Sequence, residues 1–87
     1  MKHLARLILT LLISHLSMSA QIDVDRTIAI GRNAIHFQDY IVSLGYFNQV
    51  ISLRPWMAEP YFYRAVAKIS LDDYLGAEED ASLALER

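Results

Sequence analysis

Ala58-Glu59-Pro60-Tyr61-Phe62-Tyr63-Arg64-Ala65-Val66-Ala67-Lys68, followed after two residues by Leu71-Asp72-Asp73-Tyr74-Leu75-Gly76-Ala77-Glu78-Glu79-Asp80-Ala81, is the stretch that decides the fold. Its apolar side chains recur at helical steps: Tyr61, Ala65 and Ile69, then Leu75, Ala81 and Leu85. Pro60 is tolerated in the first turn of a helix, where its missing N–H has no partner to lose. Asp73 stands directly before an apolar run, as an N-cap residue does. The pattern predicts one helix over residues 58–70 and a second over 74–86.

The same pattern runs upstream. Ile28, Gly31, Ile35 and Phe37 follow three- and four-residue steps, and so do Phe47, Val50, Ile51 and Leu53. Asp39 is a second N-cap candidate. Pro55 cannot sit inside a helix and disfavours helix at Arg54. Helices over 24–36 and 40–53 result. No segment alternates with period two for long, so the fold class is all-α. The connections are short, so neighbouring helices run antiparallel.

One constant shift lays the first half of the body on the second. Asp39-Tyr40 falls on Asp73-Tyr74, Ile35 on Ile69, Gly31 on Ala65, Ser43 on Ala77, Val50 on Ala84 and Ile51 on Leu85. Identities are few, but size class is kept, which is what packing demands. Gly31 or Ala65 can approach Ser43 or Ala77 because both partners lack bulk, letting two helices close to roughly 8–10 Å. Tyr40 and Tyr74 are expected to cover the end of each hairpin. Phe47 reaches into the space between units, where Ala81 needs a larger partner. Gly45, inside a helix, should cost about 1 kcal/mol against alanine.

These residues resemble the tetratricopeptide repeat family, built from helix–turn–helix units of about 34 residues. The resemblance rests on the small residues Gly31, Ser43, Ala65 and Ala77, the pairs Asp39-Tyr40 and Asp73-Tyr74, the aromatics Phe47 and Tyr61, and Pro55. It covers residues 24–87 as two units, 24–57 and 58–87, the start of an α-solenoid. Thr27 and Ala34 depart from it, standing where the family carries aromatics. In that family the first helix of each unit lines a concave groove. The resemblance therefore implies a partner-binding groove formed by Ile28, Arg32, Ile35, His36, Glu59, Phe62, Tyr63 and Val66. That groove is apolar and aromatic around one cation, Arg32. The lysine–asparagine clamp of some relatives is missing, because Ile28 and Ala29 occupy its place.

The chain has 87 residues, 54% of them apolar, nine aromatics and no cysteine. Such richness excludes a disordered tail, and the missing thiols exclude disulfides and thiolate zinc sites. Residues 1–20 read as a secretory signal peptide. Met1-Lys2-His3-Leu4-Ala5-Arg6 is a basic start, Leu7 to Ile13 is apolar except Thr10, and Met18-Ser19-Ala20 are suited to cleavage before Gln21. The apolar run is too short to span a bilayer core of ~30 Å, so no stable membrane span is expected once the leader is gone. Periplasmic or secreted localisation follows. Two alternatives are that these residues form a first helix of the fold or stay on the chain as an uncleaved anchor. Without Lys2 and Arg6 the body keeps ten acidic and six basic side chains, a formal −4. That balance argues against nucleic acid as a partner.

Chemistry-bearing patterns are sparse. His3 and His15 belong to the leader, and His36 has no second ligand at helical spacing. Asp72-Asp73 and Glu78-Glu79-Asp80 read as helix-start acids and a solvated face. No G-x-S-x-G elbow or glycine-rich phosphate loop exists. No catalytic residue, metal or cofactor is expected. The expectation is a non-enzymatic module that binds a protein or peptide partner, or itself. Two alternatives stand beside it: the adaptor segment of a longer enzyme, and a helical bundle closed by homodimerisation. Repeat folds usually need about three units, so a longer array or self-pairing is expected.

Overall fold

The computed structural model describes residues 1–20 and 22–87, with side chains described for 1–11 and 22–87. Among the described residues the chain is all-helical: α1 (Lys2–Ala20), α2 (Val24–His36), α3 (Tyr40–Leu53), α4 (Ala58–Ser70) and α5 (Tyr74–Glu86). The last four match the expected spans. No described helix is long and apolar enough to cross a membrane. Within the described residues α1 packs on none of the other helices. The expected cleavage junction at Gln21 lies outside the described residues.

Local chemistry sets the helix ends. Arg26 N–H donates to the Asp23 carboxylate at 3.0 Å, capping α2. Gly76 N–H donates to Asp73 at 2.9 Å, capping α5 as expected. Asp39 makes no such bond, so α3 starts without a side-chain cap. The turns after α2 and α4 are built alike, at equivalent places in the two hairpins. Gln38 and Asp72 both take the left-handed conformation, at φ 65° and 62°. Asp39 N–H then donates to Ala34 O and Gln38 N–H to Ile35 O, while Asp73 N–H donates to Lys68 O and Asp72 N–H to Ile69 O. This pair of bonds is the Schellman closure, which satisfies carbonyls the helix end leaves open. Neither left-handed residue is glycine, so each turn carries a steric cost of about 1–2 kcal/mol.

Packing runs in sequence. α2 lies on α3, α3 on α4 and α4 on α5, and α2 also touches α4. Val24, Ile28, Phe47 and Val50 form the buried core, with Ile35, Met57 and Tyr63 packed against it. Phe47 is fully buried. It fits because Gly31 has no side chain: a Cβ there would lie 2.7 Å from Phe47 Cε1. In the second hairpin the corresponding pair is Ala65 and Ala81, and the small residues Ala65 and Ala77 are both buried there. The Tyr61 ring is buried there, its hydroxyl donating to Pro55 O at 2.7 Å. Arg64 and Arg87 lie over that ring at 5.6 and 5.2 Å.

Two expectations need correction. Asp80 is not part of a solvated acidic face. It is buried between α4 and α5, where Arg64 Nε and Nη2 donate to its two oxygens at 2.8 and 2.6 Å and Lys68 Nζ lies 2.9 Å away. Burial would push this carboxyl up, but the hydrogen bonds from Arg64 and Lys68 outweigh it and hold the carboxyl below its ordinary range. The bond to Asp80 in turn raises the Arg64 guanidinium. Arg64 also donates to Asn48 Oδ1 at 3.0 Å, tying α4 to α3. Tyr74 does not cover a hairpin end. It is exposed, and its hydroxyl donates to Asp72 at 3.0 Å.

A candidate partner-binding face on α2 and α4

α2 and α4 share one face of the stack because α3, which lies between them in sequence, packs on both. Their facing surfaces enclose an open groove of about 500 Å³. α2 supplies Ala29, Arg32, Asn33, Ile35 and His36, and α4 supplies Tyr63 and Val66. Helical spacing explains the set: Ala29, Arg32 and His36 recur at three- and four-residue steps, and Tyr63 and Val66 at a three-residue step.

Tyr63 is the hinge between core and groove. One face of its ring stacks on Phe47, with centroids 5.9 Å apart and 20° between planes. The Arg32 guanidinium lies 5.0 Å from the same ring's centroid. Phe62 meets Tyr63 edge-on at 5.2 Å. Packing on a buried ring fixes Tyr63, and Tyr63 in turn orients Arg32. Among the described residues Arg32 pairs with no carboxylate. The result is an exposed, oriented cation beside an aromatic and an aliphatic wall. A guanidinium so held can take a carboxylate through two parallel N–H···O bonds. His36, at the groove's end, sits edge-on to Phe37 at 5.3 Å.

Of the eight residues expected in the groove, Arg32, Ile35, His36, Tyr63 and Val66 line it. Glu59 and Phe62 do not. They line a second hollow between α4 and α5, together with Ala58, Ala81, Ala84 and Leu85, and Tyr63 borders both. Ile28 lines neither. It is 4% exposed and belongs to the core with Phe47 and Val50, because α2 is covered by α3 on that side and by α4 on the next. Asn33, which the sequence reading did not single out, completes the groove wall as a polar group beside Arg32. The described residues hold no cluster of three or more histidine, aspartate or glutamate side chains that could bind a metal. The carboxylates of Asp72 and Asp73 are taken by the Tyr74 hydroxyl and the Gly76 N–H. No family model matches the chain, and no curated protein or solved structure matches it.

Proposed function

We propose that this chain is a non-catalytic protein-binding module, a tetratricopeptide-like pair of helical hairpins that holds a peptide or partner helix in the groove between α2 and α4. The observation that carries the reading is Arg32: exposed, laid over the Tyr63 ring at 5.0 Å, and without a carboxylate of its own among the described residues. A fixed cation flanked by apolar walls suits a segment with one acidic group close to a large apolar side chain. Burial of the apolar residue supplies affinity, and the ion pair supplies orientation. The like-built turns after α2 and α4, at equivalent places in the two hairpins, support the repeat reading. The leader reading of residues 1–20 places the module outside the cytosol. Its test is the mass of the protein recovered from a Gram-negative host, which begins at Gln21 if the leader is removed and at Met1 if it is not.

The groove is tested by selecting peptides from a random display library on the immobilised protein. Enriched sequences should share an acidic residue near a large apolar one. Their binding should fall at least roughly tenfold with Arg32→Glu, which reverses the charge at an exposed site without touching the core. Selected peptides whose affinity ignores Arg32→Glu would remove the groove from the account.

A further inference from the structure

Among the five helices α3 alone has no charged side chain: Tyr40–Leu53 holds neither an acid nor a base. Its inner side carries Ser43, Phe47 and Val50, all fully buried. Helical spacing puts Gly45 at the centre of the opposite side, flanked by Ile41, Val42 and Gln49. Ile41 is 70% exposed there and Val42 53%. A shallow hollow of about 270 Å³ lies on this side, lined by Val42, Gly45, Tyr46 and Gln49. Gly45 has no use within the described residues. Its φ is not positive, and a Cβ there would meet nothing within 4 Å. Glycine weakens a helix interior, but it lets another backbone come close. The second unit carries water-facing acids on the matching side: where α3 has Gly45 and Ser52, α5 has Glu79 and Glu86, both exposed. Stacking of hairpins does not cover this side of α3. Contacts between the two hairpins run through α4, the first helix of the later unit, which meets both α2 and α3, while α5 meets neither. By the same geometry an earlier hairpin would meet α2, and a later one α4 and α5.

We propose that the outer side of α3 is a self-pairing surface, on which a second copy of this chain docks its own α3 about a two-fold axis at Gly45. Charge selects a second copy as the occupant. A two-fold axis sets the residues beside it against their own copies, so any charge there meets its own sign. α3 brings none, whereas paired α5 faces would oppose Glu79 and Glu86 to themselves. The body holds ten acidic and six basic side chains, so two copies repel least where they meet through α3. The polar groups also match themselves. The Gln49 amide and the Tyr46 hydroxyl each carry a donor and an acceptor, so each can bond across the axis. A partner recognised by charge finds no handle on this side. Glycine on the axis lets the two helices close to short range, and Ile41 and Val42 are buried beside it. With 14 residues, α3 is about 21 Å long. A patch of that length is small beside the interfaces of permanent dimers, so the pairing is reversible. The α2–α4 groove stays open in both copies, and the inference does not rest on it.

Sedimentation of the full chain over a range of concentrations should give a monomer–dimer equilibrium. Gly45→Glu puts on α3 the residue that α5 carries at the matching place. It should weaken the dimer at least roughly tenfold, with helicity by circular dichroism unchanged. Gly45→Ala should weaken it by a smaller factor while stabilising the dilute, monomeric chain, a pair of effects that misfolding cannot produce. The chain has no cysteine, so a single introduced thiol can bridge only two copies. Gly45→Cys should oxidise to a disulfide dimer, which requires Cα atoms within about 7 Å of each other. Glu79→Cys, at the matching place on α5, should oxidise at least roughly tenfold more slowly. A chain that stays monomeric up to roughly 1 mM overturns the proposal and leaves the surface to α1 or to a foreign protein. A dimer that Gly45→Glu spares overturns it too, because the pairing then lies elsewhere. So does a Gly45→Cys chain that cross-links no faster than the Glu79→Cys chain.

Discussion

Gly31 and Gly45 are both helical glycines, and the account gives Gly→Ala opposite signs at the two sites. Alanine is favoured over glycine inside a helix by about 1 kcal/mol. At Gly45 a Cβ meets nothing within 4 Å, so Gly45→Ala should gain most of that amount. At Gly31 the new Cβ would lie 2.7 Å from Phe47 Cε1 and 2.8 Å from Cζ. Carbon atoms prefer about 3.5–4.0 Å, so the ring must retreat by most of an ångström. Phe47 is fully buried and stacked on Tyr63, leaving it nowhere to go without disturbing α4. Overpacking of this kind costs about 1–3 kcal/mol. Against the helix gain, Gly31→Ala should lose about 1 kcal/mol net, or about 5 °C in Tm for a domain of this size. The assay is urea and thermal unfolding of both single variants. Phe47→Leu removes the ring atoms that a Cβ at Gly31 would meet, so Gly31→Ala should cost less in the Phe47→Leu background than alone, a coupling measured by a double-mutant cycle. If Gly31→Ala stabilised the protein as much as Gly45→Ala, the close approach of α2 and α3 at Phe47 would be refuted.

Other consequences follow from the ends and the buried acid. Asp80→Asn should destabilise the fold by about 2 kcal/mol, less than a fully buried ion pair would lose because Arg64 and Lys68 keep some solvent contact. The Asp80 carboxyl is held low in the fold, so its contribution is present above the ordinary carboxylate pKa of about 3.9 and lost as pH falls through the lower folded value. The fall in Tm on acidification to about pH 2 should accordingly be shallower in Asp80→Asn than in the parent. Gln38→Gly should raise stability by about 1 kcal/mol, since φ is 65° there and glycine takes that conformation freely; chemical denaturation reads it. Asp23→Ala removes the α2 cap and should cost about 1 kcal/mol, measured the same way.

The helix spans were legible because they depend on local chemistry: apolar spacing, the break at Pro55 and the carboxylate of Asp73. The groove was legible in part. Arg32, His36, Tyr63 and Val66 lie on helix faces that spacing alone defines. Ile28 was misplaced because spacing says which residues share a face, not how wide a strip of that face a neighbouring helix covers. Asp80 was misread for a related reason. In the run Glu78-Glu79-Asp80 only the third acid points to α4, and its partners Arg64 and Lys68 belong to that preceding helix, beyond the reach of any local pattern. Those two cations lie one helical turn apart, so a reading of the hairpin register could have found them. The α4–α5 hollow was half-visible, since Ala81 stands where the first unit has Phe47.

The most direct test is a two-dimensional NMR titration of the isotope-labelled protein with a selected peptide. If the groove is the binding site, shift changes cluster on Ala29, Arg32, Asn33, His36 and Val66, the residues that α2 and α4 present together. Changes confined to α3 or to the outer face of α5, with those five amides unmoved, would contradict it.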